Sequence, residues 1–168
     1  LMNIEKTGIL SEKGMNVVFM NGKVDLSLLQ RKPTSQLEIW QQQALKEVKV
    51  FCTEYEKKIR AWGGLGFYVG GISFGGYLGF NKPGGAFDNK THMVPLDYEA
   101  VVLSAKDFGG VDYARGKVAI TVGIGTITYN PNAVLIIIAA GEFKANAVRD
   151  AIENKPNVKY PATALQKF

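Results

Sequence analysis

One cysteine and one histidine in 168 residues remove several kinds of chemistry at the outset. Cys52 has no second thiol to pair with, so no internal disulfide and no cysteine-based metal cage can form. That usage suits a reducing compartment, and a cytoplasmic location is expected. Long apolar runs are also lacking. The longest, Ala133 to Ala140, falls far short of the ~20 residues that a membrane span needs. The opening Leu1-Met2-Asn3-Ile4-Glu5-Lys6 has no basic-then-apolar order of the kind a signal peptide shows. No dense Lys/Arg stripe is interleaved with aromatics, so neither nucleic acid nor membrane is an expected partner. Internal repeats, low-complexity tracts and an interdomain linker are absent as well. Nor do the glycines keep dinucleotide spacing: Gly71-x-x-x-Gly75-Gly76 misses G-x-G-x-x-G, and Gly123-x-Gly125 lacks the third glycine. No cofactor and no metal are expected.

What the chain does have is a large apolar fraction, 46%, enough for one compact domain over residues 1–168. Its net charge of +5 favours anionic partners. Asn16 to Met20 is a short β-branched run ending in Asn21-Gly22, the pattern of a strand and turn. Thr34 and Ser35 then precede a stretch without Gly or Pro, Gln36 to Arg60. Its apolar positions Leu37, Trp40, Ala44, Leu45, Val48, Phe51, Cys52 and Tyr55 recur at steps of three and four, which predicts an amphipathic helix.

Leu65 to Val69 reads as a buried strand running into a glycine-rich loop from Gly70 to Gly85. Tyr98 to Lys106 reads as a short helix and Val118 to Val122 as a strand left by the turn Gly123-Ile124-Gly125-Thr126. Ala133 to Ala140 is a continuous apolar strand with both faces expected to be buried, and Glu142 to Glu153 has helical spacing. Strands alternating with helices predict an α/β fold: three αβα layers around a largely parallel, Rossmann-like sheet.

In such a sheet, ligands sit beyond the carboxyl ends of the strands. Two places qualify: the loop after Leu65–Val69, and the turn Gly141-Glu142-Phe143-Lys144. At the second, free backbone N–H groups and the positive end of a helix dipole favour an anion, and Lys144 adds a charge. Lys144 is therefore either a phosphate contact or a solvated lysine on a βα turn.

The loop Gly70-Gly71-Ile72-Ser73-Phe74-Gly75-Gly76-Tyr77-Leu78-Gly79-Phe80-Asn81-Lys82-Pro83-Gly84 resembles the active-site loop of glucosamine-6-phosphate deaminases, which reads G-G-I-G-x-D-G-H-I-A-F-N-E-P-G. Upstream, Tyr55-Glu56-Lys57-Lys58-Ile59-Arg60 is similar to that family's Y-E-x-K-I helix end. Ile120 to Ile127 resembles its L-T-V-G-x-G-T block, Gly141 to Ala145 its G-x-x-K-A, and Ala162 to Gln166 its closing leucine–glutamine segment. The related phosphogluconolactonases share a D-G-H loop without the F-N-x-P continuation. The resemblance implies a place in amino-sugar metabolism. It also implies a sugar-phosphate ligand whose 6-phosphate is held by Lys144, with Lys106 near the family's phosphate-binding arginine and Gly70, Gly71 and Ser73 in the cradle. Lysine at 106 keeps the charge but loses the planar two-pronged fork.

The resemblance also shows what this loop has lost. The family reaction opens the hexosamine ring, moves a proton from C2 to C1 and expels ammonia, which needs groups that titrate near the working pH. The aspartate of D-G-H is Gly75, its histidine is Tyr77, and the glutamate after Phe80-Asn81 is Lys82. Glycine has no side chain, a free tyrosine titrates only near pH ~10, and lysine reverses the carboxylate's charge. Activity is thus expected to be impaired or lost, and a non-catalytic binder or an assembly subunit is the alternative. His92 reads as a strand-end or surface residue, and Asp88, Asp97 and Glu99 form no carboxylate pair. Nothing in residues 1 to 50 resembles the glycine/threonine phosphate loop or the proton-moving acid of the family's first part, and the resemblance begins around Asn16–Asn21, past that half. The chain is accordingly expected to be a fragment, a shortened paralogue or one piece of a split protein, with a truncated sheet whose open edge favours a homo-oligomer or a partner chain.

Overall fold

A computed structural model describes residues 24–167. The strand expected over Asn16 to Met20 lies outside them. The chain divides into two compact units: residues 24–53 with Met93–Ile120, and Glu54–His92 with residues 121–167.

The first unit opens on a 3-10 turn, Leu26–Leu29, capped by Asp25, whose carboxylate accepts the Ser27 N–H. Helix α1, Gln36–Ala61, begins here and continues into the second unit. Its start is sealed by side chains, as free helix-end N–H groups require. Ser35 Oγ accepts the Glu38 N–H at 3.2 Å, and Glu38 accepts from Thr34 N at 2.6 Å and pairs with Arg31 at 2.7 Å. Ala44, Leu45, Val48 and Cys52 of α1 bury against Val24, Leu28, Val118 and Ile120. Leu37 and Trp40, on the expected apolar face, remain exposed in the first turns.

Strand β2, His92–Pro95, pairs with β3, Val118–Thr121. Between them lie α2, Tyr98–Phe108, and the single turn α3, Val111–Ala114. Asp97 accepts the Ala100 N–H at the start of α2, and Gly109, at φ 82°, closes it in the left-handed conformation that favours glycine.

In the second unit, β1 (Phe67–Gly71) and β4 (Val134–Ile138) pair in parallel, Phe67 opposite Val134 and Gly71 opposite Ile138. β1 thus runs through both glycines that the sequence places in the loop. Pairing with Ile137 and Ile138 carries the strand through them, and at Gly70 the Tyr68 ring lies so close that any Cβ would strike it. The one-turn helix α4, Ile124–Ile127, replaces the expected tight turn. After β4, Glu142–Lys144 is a 3-10 turn and α5 begins only at Ala145, running to Glu153. A last 3-10 segment, Pro161–Lys167, sends Gln166 Nε2 to the carbonyls of Ala151 (2.6 Å) and Asn154 (2.8 Å) and so closes the end of α5.

Leu78, Ile124, Ile127 and Ala164 form one core with Tyr68, Leu135 and Ile137; Ile72, Ala147 and Ala162 form a second. These clusters cover one face of the β1–β4 pair. Its other face does not follow expectation: Phe67, Val69, Val134, Ile136 and Ile138 are between 43% and 58% exposed. Strands apolar on both faces have the sequence of a sheet held between two layers, yet within this unit only one layer covers them. Among the described residues no helix is long and apolar enough to cross a membrane, and no cluster of His, Cys, Asp or Glu could hold a metal ion.

Candidate functional site

Because Gly71 sits opposite Ile138 in a parallel pair, the loop after β1 and the turn after β4 leave the sheet at the same end. The loop is compact. Ile72 bridges Leu78 and Leu78 bridges Asn81. Ser73 staples it: its N–H donates to the Tyr77 carbonyl at 3.2 Å, and its Oγ accepts the Tyr77 N–H at 3.1 Å. Ser73, implied as a ligand contact, therefore shapes the loop. Buried Asn81 anchors the far side by donating Nδ2 to the carbonyls of Leu78 and Val122, both at 2.9 Å. Two carbonyl partners fix the amide orientation, and buried Asn81 Oδ1 has no hydrogen-bond partner among the described residues.

Tyr77 and Lys82 are half-buried, whereas Gly75 is exposed. Gly75 lines a cavity of about 300 Å³ with Phe74, Pro83, Asp150, Lys159 and Tyr160. Lys144 ends the 3-10 turn and immediately precedes α5; it is half-buried, its Nζ 5.9 Å from the centre of the Phe143 ring. Gly70, Gly71, Ser73, Gly75, Tyr77, Lys82 and Lys144 all belong to the second unit, whereas Lys106 stands exposed on α2 in the first. His92 opens β2, its Nδ1 2.7 Å from the Lys90 carbonyl.

Two features escape the sequence. Tyr68 is half-buried, burial pushes its phenol's pKa up, and its hydroxyl lies 3.9 Å from where a Cβ on Gly79 would stand. The available signal is a lone hydroxyl inside an apolar strand. The second is Glu56, 4% exposed near the end of α1. Its Oε2 accepts from Thr126 Oγ1 at 2.6 Å, Thr91 Oγ1 at 2.9 Å and Thr91 N at 3.0 Å, and its Oε1 accepts from Arg60 Nε at 2.7 Å. Beside it, Gly123 and Gly125 lie so close to the backbone of Asp88 and Asn89 that no Cβ fits at either. Gly125 N–H donates to the Asn89 carbonyl at 2.9 Å. The G-x-G-T block is thus a packing device that brings Thr126 to Glu56.

No family model matches the chain. Curated glucosamine-6-phosphate deaminases do. That of Borrelia garinii subsp. bavariensis is 37% identical over 119 residues, 71% of this chain and 44% of that protein. Those of Bacillus velezensis and Clostridium botulinum are 36% and 35% identical, over 68% and 71% of this chain and 46% and 48% of theirs. The chain spans less than half the length of the curated relatives it matches. A solved structure, described as a monomeric glucosamine-6-phosphate deaminase and a missing link of the NagB superfamily, aligns with a TM-score of 0.65 at 32% identity, covering 71% of this chain and 48% of that one. The fold is accordingly the αβα class with parallel strand pairing that the sequence predicts. Over the residues that match, the chain belongs to the glucosamine-6-phosphate deaminase family.

Proposed function

We propose that this chain binds an amino-sugar phosphate, with glucosamine 6-phosphate as the type ligand, and does not deaminate it. The carrying observation is the loop itself. It keeps the family's glycine framework on the strand beside the one that leads to Lys144, while Gly75, Tyr77 and Lys82 occupy the positions of the acid, the histidine and the second carboxylate. Lys144, immediately ahead of α5 and the positive end of its dipole, would take the phosphate. Gly70 and Gly71, in the same unit, would allow close approach of the sugar. Nothing at 75, 77 or 82 can pass a proton at neutral pH as a carboxylate–histidine pair does.

Calorimetric titration with glucosamine 6-phosphate, with glucosamine as control, tests the reading. Saturable binding of the phosphate ester alone, abolished by Lys144→Glu, is expected, with no ammonia released. Ammonia release by the unsubstituted chain would overturn the second half of the proposal, and equal affinity in the Lys144 variant the first.

A second reading, that the chain is an assembly subunit, is favoured by the uncovered apolar face of β1 and β4. Contiguous apolar surface of this kind marks interaction sites. Light scattering across micromolar concentrations should then find an oligomer; a clean monomer would remove this reading.

A further inference from the structure

Arg60 stands in the last turn of α1, where the chain leads into β1, and Thr128 and Tyr129 stand where it leads into β4. The glycine loop and Lys144 lie on the segments that leave those strands. Around Arg60 lies a cavity of about 420 Å³, lined also by Phe87, Asp88, Thr128, Tyr129 and Lys167. The guanidinium is held from two sides: Nε donates to Glu56, which Thr91 and Thr126 fix in turn, and the group stacks 4.2 Å from the centre of the Tyr129 ring. Its two Nη groups have no hydrogen-bond partner among the described residues, and the side chain is 31% exposed.

A guanidinium held at Nε, its carbon over a ring and its Nη pair free of partners among the described residues, is organised for a two-oxygen anion before any ligand arrives. Lys167 adds a point charge on the same wall, and Phe87, Tyr129 and Ala164 offer apolar surface. We propose that this cavity is a binding site for a small organic oxyanion, a carboxylate or phosphate carrying a flat apolar group, separate from the glycine loop. Arg60 takes the oxyanion through its Nη pair, Lys167 assists, and the apolar group lies against Phe87 and Tyr129. Counting Arg60 and Lys167 against Asp88 and the Glu56 behind them, the site is close to neutral. Its selectivity therefore rests on donor geometry, and Asp88 weakens it.

The test is a titration of the full chain with benzoate, phenyl phosphate, inorganic phosphate and phenol, followed by backbone amide NMR shifts. Saturable shifts at Gly125 and Thr128 with benzoate or phenyl phosphate, and none with phenol, are expected; the two anions separate carboxylate from phosphate preference. Arg60→Gln and Lys167→Ala should each weaken binding, the former by at least about tenfold. Asp88→Asn should tighten it, and Lys144→Glu should leave it unchanged. Should Arg60→Gln fail to fold, exposed Lys167→Ala and Asp88→Asn decide the matter. No shifts at Gly125 and Thr128 would overturn the proposal. So would shifts lost with Lys144→Glu, or shifts indifferent to the Arg60, Lys167 and Asp88 changes. Because none of these probes is a sugar, failure here is distinct from failure of the sugar-phosphate reading.

Discussion

Thr126 donates its hydroxyl to Glu56 at 2.6 Å across seventy positions of sequence. That bond joins α4 to the end of α1 and, through Arg60, to the ring of Tyr129. Thr126→Val keeps the shape and deletes the donor at a buried carboxylate, so it should cost about 1–3 kcal/mol. Thr126→Ser should recover most of the loss. Urea denaturation of the three proteins measures it, and a Val variant as stable as the unsubstituted chain would mean that the bond contributes nothing.

The same carboxylate gives the chain an acid-sensitive step. Burial raises the Glu56 pKa, but the hydrogen bonds from Thr126, Thr91 and Arg60 outweigh it and hold the group below its usual 4.5. A folded pKa below the unfolded one gives stability that is complete above pH 4.5 and is lost as pH falls through the folded value. Denaturation midpoints should decline with acid over that window, and less steeply in Thr126→Val. Identical slopes in both proteins would place the acid sensitivity elsewhere. In the first unit Glu38, held near pKa 2 by Arg31 and Thr34, responds at still lower pH.

Cys52 should be chemically silent in the folded chain. It is buried in the first unit's core, and burial pushes its thiol pKa up to about 11. At neutral pH a thiol reagent should label it only as fast as the core opens, and urea at the unfolding midpoint should release the full reaction. Rapid labelling in native buffer would contradict the burial.

Gly70 and Tyr68 are coupled. A Cβ on Gly70 would stand 2.7 Å from Tyr68 Cε1, and ring and strand cannot both keep their places. Gly70→Ala should destabilise by about 1–3 kcal/mol, and much less in a Tyr68→Ala background. A double-mutant cycle showing simple additivity would break the link.

The helices were the most legible part of the chain. α1 follows from its three-and-four spacing between Ser35 and Gly63, and α2, read over Tyr98 to Lys106, runs two residues further to Phe108. The parallel pairing of β1 with β4 was foreseeable from two uniformly apolar runs. Their burial was not, because such a run says what a strand could cover and not what covers it. β1 reaching Gly71 depends on its pairing with Ile137 and Ile138, partners far along the chain that local propensity does not register. In the candidate site, strand ends and the family resemblance point to the loop and Lys144, which leave the β1–β4 pair at the same end. They could not disclose that the Ser73 hydroxyl is engaged by Tyr77 N–H, or that the glycines of the second block serve Glu56. The first is a turn bond four residues long, set by backbone conformation, and the second depends on partners distant in sequence; periodicity encodes neither.

The run Val134–Ile138, Val-Leu-Ile-Ile-Ile, carries no charge and no proline, and three of its five side chains are open to solvent. Such a segment is a template for cross-β stacking. How concentrated a solution of this protein can be, and how long it survives on the bench, should therefore be governed by these five uncharged residues. A single lysine at Ile136 should prolong its shelf life more than any adjustment of pH.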